Sequence, residues 1–153
     1  MKKILQVPIL PCIALLIFFN LSFPSLSFAQ PANDQFTSAT ALASNTTCVT
    51  TAGTLQSATV SSPAVPTTCG TPGGDVWYQF VAQSTDPTIA LSTLGINFGP
   101  VAGNPRIQIF SGSFGALTSL GCVSAASLTV TAVYPTGLTP GNIYFISKRA
   151  VRR

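Results

Sequence analysis

DVWYQFVA (residues 75–82) is the stretch whose reading decides the fold. Aromatic and β-branched residues dominate it, and in an extended chain Val76, Tyr78 and Phe80 share one face. Trp77 then falls on the opposite parity, under a loop or on an outer surface. Working outward, similar short runs recur between clusters of Gly, Pro, Asn and Ser, the punctuation of an all-β chain. Strands are expected near Ala52 to Val60, Asp75 to Ala82, Thr88 to Thr93, Arg106 to Phe110, Ser127 to Val133 and Asn142 to Ile146. In SLTVTAV (127–133), Leu128, Val130 and Ala132 oppose Ser127, Thr129 and Thr131, so one face is wet. RIQIF (106–110) sets Ile107 and Ile109 on one face. NIYFI (142–146) is apolar on both faces and should be a central strand with neighbours on both edges. A weak helix over Ser38 to Ala43 is disfavoured by its threonines and its length. Nothing of helical length separates the strands, which favours an antiparallel sandwich over a βαβ fold.

The chain has 153 residues, enough for one domain. Only 7% of them are charged, with no Glu and no His, so solubility rests on hydroxyls and amides. Residues 1–29 read as a signal peptide: Lys2 and Lys3, an apolar run from Ile13 to Phe19, then Ser27-Phe28-Ala29 before the cut. Pro8, Pro11 and Pro24 break the run below the ~18–20 residues of a membrane span, so no span is expected after cleavage. The exported part then carries Arg106, Lys148, Arg149, Arg152 and Arg153 against Asp34, Asp75 and Asp86. Without the last six residues the balance turns negative, which excludes a basic face for nucleic acid.

The ending SKRAVRR (147–153) has no turn signal and is too short to return as another strand. PANDQFTSATAL (31–42), GGDVWYQFVA (73–82), IQIFSGSFGALTSLGC (107–122) and LTPGNIYFI (138–146) together resemble the bacterial pre-peptidase C-terminal domain over residues 31–146. The resemblance implies a jelly-roll-like antiparallel β-sandwich at 30–147, one that is not catalytic in the secreted peptidases and surface proteins that carry it. It also implies one more turn and strand after YFI. Residues 148–153 are therefore expected to be a basic tail, the product of a truncation or frame change, with a polybasic contact to acidic lipid or glycan as the competing reading.

Export makes disulfides plausible, and Cys48 with Cys69 is the expected pair, closing a turn-rich loop. Such domains often carry cysteines where Phe36 and Phe114 stand, so the resemblance leaves Cys122 without its partner. No His exists to activate a thiol or build a Ser-His-Asp site, and three dispersed aspartates make a weak glycosidase set, so no catalytic residue is assigned. Asp34 and Asp75 are candidate calcium ligands beside their reading as turn and strand-end residues; no other cofactor is expected. Trp77 is the candidate stacking platform for a sugar ring. The expected function is a non-catalytic accessory or binding module, secreted or at the cell surface, meeting extracellular polysaccharide or protein, or acting as a spacer. The alternatives are the N-terminal fragment of a larger exported hydrolase and a free-standing structural or adhesive protein.

Overall fold

The computed structural model describes residues 29–66, 69–70, 73–92, 102–124 and 131–152. The signal-peptide reading, Thr93, residues 127–130 of the expected fifth strand and Arg153 lie outside them. Among the described residues a 3-10 turn, Phe36–Ser38, precedes seven strands: β1 Thr40–Ala41, β2 Asp75–Val81, β3 Ile89–Leu91, β4 Ala102–Ser113, β5 Ala116–Ser124, β6 Thr131–Val133 and β7 Ile143–Arg152. They form a five-stranded sheet in the order β1-β2-β7-β4-β5 and a two-stranded sheet of β3 and β6. All pairings are antiparallel except the short β1–β2 pair. The protein is thus all-β, and among the described residues no helix is long and apolar enough to cross a membrane. The stretch 52–60, expected as a strand, is irregular and mostly exposed.

β7 is the central strand that NIYFI requires. It pairs with β2 from Ile143 to Arg149 and with β4 from Phe145 to Arg152. The strand does not stop at Ile146 as expected: SKRAVR continues it, so most of the expected basic tail is inside the sheet. The period of two simply runs on, with Tyr144, Ile146 and Lys148 on one face and Phe145, Ser147 and Arg149 on the other.

The first face carries the larger core. Val76, Tyr78 and Phe80 of β2, Ile107 and Ile109 of β4, and Tyr144 and Ile146 of β7 are all buried there. The small sheet packs on this face through Val133, with Ile89 and Leu91 half-buried beside it. The second face is covered by irregular chain. Trp77 and Phe110 pack there with Val65, and Phe36, Phe145 and Leu117 close around them. A bulge at Leu120, between the Ile109–Gly121 and Phe110–Ser119 pairs, turns Leu117 and Ser119 to this second face while Gly121 and Val123 stay on the first.

The outer edge of β2 is sealed by three separate segments. The Trp77 N–H donates to the Asn33 carbonyl at 2.8 Å, and the Asn33 side-chain amide donates back to the Trp77 carbonyl at 2.8 Å. Above and below, Leu42 N–H donates to Gln79 and Asp75 N–H to Thr59. No backbone group at these points is left to pair with a foreign strand.

The disulfide corrects the sequence-based pairing. Cys69 bonds to Cys122 with 5.6 Å between Cα atoms, and Cys48 is exposed and free. Cys122 sits opposite Gln108 in the β4–β5 pair, beneath the loop that delivers Cys69. Cys48 is instead at the other side of the sheet, lining a cleft beside β3. Pairing follows which face a chain segment crosses, which sequence distance does not report. Replacing both Cys69 and Cys122 by Ser should lower stability in urea unfolding by about 4 kcal/mol, from the chain-entropy cost of a 53-residue loop. Cys48→Ser should be close to neutral. Equal losses from the two changes would contradict this pairing.

Candidate functional site

On the second face of the sheet, polar residues fall into rows that cross the strands. Asp75, Arg149 and Arg106 are successive register partners across β2, β7 and β4; Trp77, Ser147 and Gln108 form the next row. Asp75, Gln108, Ser147 and Arg149 are each 1% exposed or less. The segment 59–66 passes over them and supplies Ser61 and the Pro66 carbonyl as partners, beside bonds among the row residues themselves. Trp77 Nε1 donates to Ser61 Oγ at 2.8 Å, and Ser61 Oγ donates in turn to Asp75 Oδ1 at 2.8 Å. Ser147 Oγ reaches Asp75 Oδ2 at 3.4 Å. The Gln108 amide donates to Ser119 Oγ at 2.9 Å and to the Pro66 carbonyl at 3.3 Å, while its oxygen accepts from Arg149 Nη2.

Arg106 donates to the Cys69 carbonyl. Gly70 follows with φ +84°, and any side chain at that position would overlap the Arg106 guanidinium. Arg149 keeps two buried N–H groups, Nε and Nη1, that have no hydrogen-bond partner among the described residues. Its charge is offset through space instead: Asp75 attracts it, while burial and Arg106 weigh against its ionised form. Burial also pushes the Asp75 carboxyl above its ordinary value, against the hydrogen bonds from Ser61 and Ser147 and the attraction of Arg149.

The candidate residues from the sequence are accounted for by this packing. Trp77 is fully buried, so its ring offers no stacking platform; a loop covers it, the other of its two sequence-based placements. Asp34 accepts Thr59 N–H and Thr59 Oγ1, both at 2.6 Å, and Gln35 Nε2 at 3.0 Å. Asp34 and Asp75 therefore each fasten one end of the Thr59–Ser61 crossing. A calcium ion at either carboxylate would have to displace these donors, and among the described residues no three His, Cys, Asp or Glu side chains form a metal-binding group.

The first face holds an open feature. Two adjoining clefts of about 470 and 490 Å³ share Leu42, Cys48, Val49, Ile89, Ala90 and Ile146. One runs under Gly53 to Tyr78, Ile107 and Lys148; the other reaches Phe80 and Asp86. A Cβ at Gly53 would overlap the Tyr78 hydroxyl, so glycine lets the backbone lie on the tyrosine edge. Lys148 is half-buried in this wall, and burial pulls its ammonium below the ordinary lysine value. Sequence reasoning missed Lys148 and Arg149 because both were assigned to a tail. YFISKR carries no apolar–polar alternation that would have found them; their places are set by register partners on β2 and β4.

Comparison with protein-family models, with curated proteins and with solved structures gave no match.

The raised Asp75 value carries a pH dependence with a definite sign. Stability associated with its neutral form is fully present below pH of about 3.8 and is lost as pH rises towards the raised folded-state value. Asp75→Asn removes this group while Asp34 and Asp86 remain. The variant should gain on the parent protein by up to ~1.4 kcal/mol per pH unit within that window, read from urea unfolding at pH 4 to 7. Parallel curves, or a parent that gains on the variant as pH rises, would contradict the assignment.

Proposed function

We propose that the chain is a non-catalytic accessory or binding module of a secreted or cell-surface bacterial protein, built as a jelly-roll-like antiparallel β-sandwich of the pre-peptidase C-terminal type. The observation that carries this reading is the contact between Phe36 and Phe114, whose rings stack with centroids 4.8 Å apart. These are the two positions at which such domains carry cysteines, and here they meet across 78 residues of sequence as an aromatic pair on the covered face.

Two further features support it. Asp34 and Asp75 are buried or nearly so and engaged by loop donors, while Asp86 accepts from Thr85 Oγ1 at 2.7 Å and from the Gly137 N–H at 3.3 Å. None of the three stands ready as an acid, base or nucleophile. The Cys69–Cys122 bond suits an oxidising compartment. Partners then come from outside the cell, as extracellular polysaccharide or protein.

The test is co-sedimentation of the secreted chain with insoluble polysaccharides and with fibrillar collagen, alongside a screen of ester, peptide and glycoside substrates. Retention on one of the matrices without turnover is expected. Turnover that survives purification would overturn the reading, and self-association with no retention would move the chain to the structural or adhesive class.

A further inference from the structure

We propose that the cleft between β3, the 42–53 segment and the large sheet binds a small amphipathic carboxylate, its apolar body along Leu42, Val49, Ile89 and Leu91 and its anionic end at Lys148. The inference rests on the binding-module reading and names the ligand class of that module. Each adjoining cleft, at about 470 and 490 Å³, lies in the ~300–1,000 Å³ range of small-molecule sites. The walls of the first cleft combine aliphatic side chains with the hydroxyls of Thr50, Thr51 and Ser92 and one cation. Among the described residues Lys148 is the sole charged one in that lining, and it stands beside Ile146, Ile107 and Tyr78 at the sheet floor.

Charge is distributed with a direction. Asp86 belongs to the far cleft, where it already accepts from Thr85 and Gly137. A carboxylate is therefore attracted towards Lys148 and repelled from the opposite end. Removal of the ammonium from water strengthens a contact with an anion, because both groups meet in a low-dielectric wall. A sugar is the poorer fit. Among the described residues the aromatic rings lining the clefts are those of Tyr78 and Phe80, which are buried in the core, so these present no exposed ring face for a pyranose. Val49, by contrast, is 52% exposed at the mouth, as an aliphatic contact for a chain-like ligand would be.

Three probes of equal length and different charge decide the matter: octanoate, 1-octanol and octylammonium, each titrated into the secreted chain by calorimetry and by amide shift mapping. Octanoate should bind at least ~10-fold more tightly than 1-octanol, the effect of one charge-assisted hydrogen bond, and octylammonium most weakly. Shifts should concentrate at Leu42, Ile89 and Lys148. Lys148→Gln should abolish the preference for octanoate over 1-octanol while leaving 1-octanol binding in place, with the melting curve confirming that the variant folds. Equal affinity for the three probes, or shifts elsewhere on the surface, would overturn the proposal, and the parent protein alone yields that result. Loss of octanoate binding with matrix retention intact removes this ligand and leaves the module reading standing. Enzymatic turnover removes the module reading whatever the cleft binds.

Discussion

A strand that is hydrogen-bonded on both edges and covered on both faces has no route to water, so every side chain on it must find its partners inside the protein. From Tyr144 to Arg149 β7 approaches that position between β2 and β4, with Ile143 exposed at its start and Lys148 half-buried at the cleft. Its first half meets the requirement with hydrocarbon, through Tyr144, Phe145 and Ile146. Its second half meets it with polar chemistry. Ser147 and Arg149 lie fully buried, and the residues around them are arranged to suit. Asp75 stands in register with Arg149, Gln108 supplies an acceptor, and the 59–66 segment brings Ser61 and the Pro66 carbonyl over the row. A buried arginine whose guanidinium is only partly hydrogen-bonded is costly, and removal of its one facing carboxylate would leave it opposite Arg106 with no counter-charge. The loop, the disulfide and the N-terminal segment all belong to the cover that this row demands.

The two faces of the large sheet consequently do different work. The second is closed: its rings, carboxylates and guanidinium groups are locked under the loop, and the residues that looked most chemical in the sequence turn out to hold that loop down. On the first, among the described residues, the small sheet covers only part of the apolar floor. The remaining gap is lined by aliphatic residues together with Cys48, Thr50, Thr51 and Ser92, and ends at Lys148. The binding-module reading is consistent with this division, since the three aspartates are engaged by donors while the open cleft offers aliphatic and hydroxyl side chains with a single cation.

Much of the fold was legible from local pattern. Alternation in DVWYQFVA placed Val76, Tyr78 and Phe80 in the core, and the two-sided apolar run NIYFI marked the central strand. What failed shares one physical cause, because each failure depended on contacts made across the chain. Lys148 and Arg149 were assigned to a basic tail, and the partners that hold Arg149 inside the sheet, Asp75 and Gln108, are distant in sequence. Trp77 could be placed on the second face by parity, but only the 59–66 crossing decides whether that face is covered. The Cys48–Cys69 pairing followed proximity along the chain, whereas the sheet brings Cys122 to Cys69. The 52–60 stretch has strand-like composition, yet it meets β2's outer edge only through the Thr59 carbonyl, because Asn33 and Leu42 occupy the rest of that edge.

The central claim is that SKR (147–149) is an interior part of the central strand and not a tail, and amide hydrogen exchange on the intact chain tests it most directly. If the strand is as described, the amides from Ser147 to Arg149 should exchange as slowly as those of Trp77, Tyr78 and Ile109, because all open only with the sheet. Exchange of the 147–149 amides at the rate of an unstructured tail, with β2 and β4 still protected, would contradict the account.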